Sequence, residues 1–290
     1  VIINELMVTP MLFSDATSTP AKALKKEANR RRKLWDEDSP DKNKAGNRLV
    51  IIGYDGDKKY ENVPSYIPGD TIKKVNGKTM ALIEFFVHSP FKDSLVKGRA
   101  ESDKNVTSIV MQARFKKSSW DTKPSALYLF GGDADHYIWD EIQNQSSAHN
   151  NGEKLDFDIF LAPHHCSWTY FNDVPYKKGE TDEPVESSKK LIKDHKVSGA
   201  VIIASSKQIN DDDDNPPHYP AKKEYVKLIG SSDKFVSLAE EPDSKNSKPV
   251  VYVVTSNGFQ RKDKNQQTGA AGAAIGSSGT SGRKSTYGSK

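Results

Sequence analysis

The chain has 290 residues, 35% of them hydrophobic and 28% charged, with a formal net charge of +4. That length suits one large domain or two small ones, and its Ile-, Val- and Phe-rich runs can build a core, which excludes disorder throughout. No apolar run approaches the ~18 residues of a membrane span, and the opening residues do not read as a secretory h-region. The single cysteine, Cys166, excludes a disulfide scaffold and a Cys-rich zinc knuckle, so a cytoplasmic protein is expected.

The net charge is local. Between Gln260 and Lys290 stand Arg261, Lys262, Lys264, Arg283, Lys284 and Lys290 against Asp263 alone, and the rest of the chain is nearly balanced. By composition the body is therefore not a basic nucleic-acid binder. From Thr268 onward the chain is almost entirely Gly, Ala, Ser and Thr, too little apolar surface to offset the entropy of ordering. We expect a domain over residues 1–260 and a flexible basic tail over 261–290. The opening at Val1, in a strand-like stretch, is what a piece of a longer chain would show.

In chain order, the first predicted helix runs from Pro20 to about Trp35, with Thr19 as its N-cap and Pro20 at its first position. Asp36 to Gly46 reads as a loop. Strands are predicted at Leu49–Ile52, Met80–Val87, Val106–Phe115, Ala126–Phe130, Phe157–Leu161, Ala200–Ala204 and Val250–Val254. Helices are predicted at Ala134–Gln145, Val185–Asp194 and Pro220–Leu228. Strands alternating with helices after a more purely β first half argue a mixed, layered α/β domain.

Three clusters carry chemistry, each at a strand end. Leu129-Phe130 runs into Gly131-Gly132-Asp133-Ala134-Asp135, where glycines permit a sharp turn and Asp133 sits where α/β sheets hold ligands. The blander role for Asp133 is the N-cap of the next helix. Leu161-Ala162 runs into Pro163-His164-His165-Cys166-Ser167, and paired imidazoles there can meet a metal or a phosphate. The third, Asn215-Pro216-Pro217-His218-Tyr219-Pro220, follows the acidic run Asp211–Asp214. That run lacks the alternating spacing of a calcium loop and reads as solvated.

With Asn105-Val106-Thr107-Ser108-Ile109-Val110 added, the ordered set resembles the carboxyl half of a metallo-β-lactamase-fold hydrolase, in the competence-type, ComEC-like branch. That branch carries N-x-x-S, G-D-A-[DE], P-H-H-G-S and a late H-P-like element, and the resemblance covers roughly residues 80–230. It implies an αββα sandwich with two divalent metal ions, zinc or manganese. Asp133 would bridge them, His164 and His165 would be ligands, and His218 a late ligand or phosphate contact. It also implies Asp133, His165 and His218 as the catalytic set on a nucleic-acid or nucleotide phosphodiester, and the branch occurs in bacterial defence operons.

Two features depart from the pattern. Cys166 stands where the family has glycine, and no two of the seven histidines are spaced as the family's amino-half H-x-H-x-D-H requires. The missing ligands are expected from an upstream segment or a second chain. The alternative is a catalytically silent scaffold that assembles with a partner.

Overall fold

The structure, a computed structural model, describes residues 2–14, 18–54, 56, 58–96, 104–173 and 183–262. The expected tail falls almost wholly outside the described residues. Strand β1 (Glu5–Val8) leads to helix α1 (Thr19–Asp36) and then to β2 (Arg48–Ile52). Short strands follow: β3 (Ser65–Tyr66), β4 (Thr71–Ile72), β5 (Lys74–Val75) and β6 (Lys78–Thr79). Next come β7 (Ile83–Ser89), α2 (Lys92–Val96), β8 (Val110–Phe115), β9 (Ala126–Phe130) and α3 (His136–Ala148). The chain continues through β10 (Phe157–Leu161), α4 (Glu186–His195), β11 (Lys196–Ala204) and α5 (Tyr219–Ile229). It closes with β12 (Phe235–Ser237), β13 (Tyr252–Thr255) and β14 (Gly258–Arg261).

A seven-stranded mixed sheet has the order β12-β11-β10-β9-β8-β7-β4. Strands β9 to β12 are parallel, and β8, β7 and β4 join them through antiparallel pairs. A small parallel sheet has the order β1-β2-β3. Alternation along β2 explains how the two stack. Leu49 and Ile51 face Ala28 of α1, while Val50 and Ile52 face Ile72 and Val87 of the large sheet. The far face of the large sheet carries α3, α4 and α5, packed through Trp139, Ile142, Leu191, Ile192 and Tyr225 around Phe157 and Phe160. The β13–β14 hairpin covers the remaining half of the near face, where Tyr252 and Phe259 pack with Ile159, Ile203 and Val236. The protein is thus mixed α/β, with α1, the small sheet, the large sheet and α3–α5 stacked in turn.

Some boundaries move. Ser18, not Thr19, caps α1, its hydroxyl accepting from the Ala21 N–H at 3.3 Å. Strand β8 begins at Val110, because Lys104–Thr107 forms a 3-10 turn closed by the Ser108 N–H donating to the Asn105 carbonyl at 3.0 Å. The last hairpin runs through Arg261, whose guanidinium reaches the Glu241 carboxylate at 2.5 Å.

Candidate functional site

The four motif segments meet at the carboxyl ends of β9 and β10, tied mainly through main chain. The Asp133 N–H donates to Ser108 Oγ at 3.2 Å. The His164 N–H donates to the Gly132 carbonyl at 2.9 Å, and the His218 N–H to the Cys166 carbonyl at 2.9 Å. Asn215 Oδ1 accepts from the Ser167 hydroxyl at 2.7 Å and the Trp168 N–H at 3.1 Å. The glycines are there for space. A Cβ on Gly131 would stand 2.6 Å from Pro163 Cγ and 2.7 Å from the Leu161 carbonyl oxygen. One on Gly132, at φ +53°, would stand 3.0 Å from the Ile109 carbonyl oxygen.

Asp133 is half-buried, and its carboxylate has no partner among the described residues. The helix cap that could have occupied it is supplied two residues later. Asp135 caps α3, its Oδ1 accepting from the Ile138 N–H at 3.1 Å. The blander role for Asp133 is therefore filled by its neighbour.

His164, His165 and Cys166 follow one another in the left-handed region, at φ 46°, 55° and 70°. Each such residue with a side chain costs ~1–2 kcal/mol, and strain of this kind persists where the surroundings demand it, often at a working site. The turn splits the histidines. His164 is half-buried, with Nδ1 enclosed and unpartnered among the described residues. His165 is exposed, and its Nδ1 lies 2.6 Å from the Ser205 carbonyl oxygen. A carbonyl only accepts, so Nδ1 carries the hydrogen and the Nε2 of a neutral ring keeps its lone pair. His165 borders a groove of about 430 Å³ with Ser205, Ser206, Lys207, Pro216, Pro217 and Leu238.

His218 is 1% exposed, its ring edge-on to Trp168 at 5.8 Å between centroids. Cys166 is fully buried, and burial pushes its thiol up to about 12, so it is inert rather than nucleophilic. The acidic run is exposed as expected, with Asp214 paired to Lys207. The structure thus brings the four segments together but not the four side chains: among the described residues, no three His, Cys, Asp or Glu converge to hold a cation. The Asp133 carboxylate, the enclosed His164 Nδ1 and the Nε2 of the exposed His165 are oxygen and nitrogen donors of the kinds a divalent metal takes.

Reading the sequence missed the groove wall formed by Ser205–Lys207, which carries no motif and is placed only by the fold. Comparison of the chain with protein-family models, with curated proteins and with solved structures found no match.

Proposed function

We propose that this chain carries the carboxyl half of a metal-dependent phosphodiesterase or nuclease site in a metallo-β-lactamase-like αββα arrangement. The reading is carried by the Asp133 carboxylate: it stands half-buried at a strand end without a partner among the described residues, because Asp135 caps the helix instead. Asp133 and His164 would hold the metal, with the remaining ligands supplied by another segment or a second chain. A bound divalent ion, zinc or manganese, would supply water of lowered pKa at neutral pH. The chain's own part is positional. Ser108 and the two glycines fix the Asp133 backbone. The carbonyl of Ser205 fixes the His165 ring, leaving Nε2 at the groove to take or return a proton, or to meet a phosphate oxygen. The buried place of His218 against Trp168 suits a residue that holds the loop, and favours the second reading, a silent scaffold.

The test is metal content and phosphodiester cleavage of the complete assembly, with Asp133→Asn beside the parent. The hydrolase reading expects loss of bound metal and of cleavage, with an unchanged circular dichroism spectrum. Unaltered metal content, or cleavage indifferent to a chelator, refutes it.

A further inference from the structure

We propose that the opposite end of the large sheet, around Trp120, is a binding surface for single-stranded nucleic acid. This goes beyond the hydrolase reading and does not rest on it.

The surface is built from two neighbouring turns. One joins β8 to β9 and is well fixed: Asp121 Oδ2 accepts the Ser118 N–H at 2.8 Å, and the Asp121 N–H donates to the Ser118 carbonyl at 3.1 Å. At its tip Trp120 is 90% exposed. The other is the β5–β6 hairpin, which leads through Leu82 into β7. Register places both at the same end, since Ile83 pairs with Phe115, Phe115 with Ala126, and the Lys116 N–H donates to the Leu82 carbonyl at 2.9 Å. Asp133 lies beyond the other end of β9, whose five residues span roughly 17 Å.

Charge is segregated here. Lys73, Lys74 and Lys78 stand on the hairpin side, and Lys116, Lys117 and Lys123 on the turn side. None of the six forms an ion pair among the described residues. Some lysines elsewhere are paired, as in Lys189–Glu186, Lys222–Glu240 and Lys227–Glu224. Of the neighbouring carboxylates, Glu84 pairs with Arg114 at 3.2 Å, while Asp121 and Asp158 accept the backbone N–H groups of Ser118 and Leu127 and keep their charge. A chain nearly neutral in its body therefore gathers six lysines against the charges of Asp121 and Asp158 on two turns at the end of the sheet that carries the solvent-facing indole.

That combination matches a polyanion carrying planar groups. Lysines neutralise phosphates, and an indole face stacks an unpaired base whatever its identity. An anionic membrane shares the charge but not the shape. Sinking Trp120 into a bilayer would carry Ser118, Ser119, Asp121 and Thr122 with it, polar groups that hydrocarbon would strip of water. The Ser118, Ser119 and Thr122 hydroxyls can instead face sugar and phosphate, while the Asp121 carboxylate, held by its own turn, stays in water.

The test is fluorescence anisotropy of a labelled oligothymidylate titrated with the full chain in EDTA, so that neither metal nor cleavage enters. Trp120→Ala should weaken binding about tenfold, and Trp120→Phe should retain most of it. Lys117→Gln with Lys123→Gln should flatten the slope of log affinity on log salt by about 1.4. The basic tail is common to every variant and cancels. No binding by the parent, equal affinity in Trp120→Ala, or Trp120-dependent sedimentation with phosphatidylserine vesicles in place of oligonucleotide binding would each overturn the proposal. Failure of metal-dependent cleavage would bear on the hydrolase reading alone.

Discussion

Acid should unfold this protein partly through one imidazole. His88 is 3% exposed on β7, edge-on to Phe86, with Nε2 2.9 Å from the Lys154 carbonyl oxygen. Burial lowers its pKa to about 4; the charges of Lys154 and His195 add to that, and the hydrogen bond to the Lys154 carbonyl opposes it. The unfolded chain takes up this proton near pH 6.5, before the folded one does. The unfolded state therefore binds more protons between the two values, and stability falls as pH falls through that window. Each pH unit of separation is about 1.4 kcal/mol, so a fall from neutrality to pH 4 removes about 3 kcal/mol. His88→Gln keeps an N–H for the Lys154 carbonyl and does not titrate. Urea midpoints at neutral pH and at pH 4 should show the parent losing about 3 kcal/mol more than the variant. Parallel losses would show that His88 is hydrated or charged in the folded state, contrary to the argument.

Three further outcomes follow from the site and core. At Cys166, a buried left-handed position, glycine should match or exceed alanine in stability by about 1 kcal/mol, reversing the usual order in urea melts, and the native thiol should resist iodoacetamide until the chain unfolds. Gly131→Ala should cost ~2 kcal/mol or more in thermal melts, because its methyl would meet Pro163 and the Leu161 carbonyl. Tyr225→Phe should raise stability by about 1 kcal/mol in chemical denaturation, since the buried hydroxyl has no partner among the described residues.

Where a strand is a short apolar run closed by a hard stop, residues alone locate it. Ala126–Phe130 ends at Gly131-Gly132, and Phe157–Leu161 ends just before Pro163; both are as expected from the sequence. Val106–Ile109 misled because β-branched residues there serve a 3-10 turn whose Val106 plugs the helical core. No strand is expected at Gly258–Arg261, whose last residue reads as tail, yet it pairs with β13 and its Phe259 packs beside Tyr252 against the near face. The order of the site motifs was legible because each marks the end of a strand or the start of a helix. The separation of His164 from His165 was not, since it depends on a left-handed run that no composition signal announces. Trp120 and its lysines were hidden for a similar reason: their charge cancels in the sum over the body and stands out only once the fold gathers two distant turns.

The outer strands of the large sheet are two residues long at β4 and three at β12. An open sheet can be extended by any chain that finds a row of free amides and carbonyls at its margin. Those outermost rows are one dipeptide long on one side and one tripeptide on the other, too short for a second molecule to hold register on them alone. The outermost strands of the large sheet thus offer little template for edge-to-edge growth. Lengthening β12 by a few β-branched residues would be the simplest way to give a second chain a longer row to pair with.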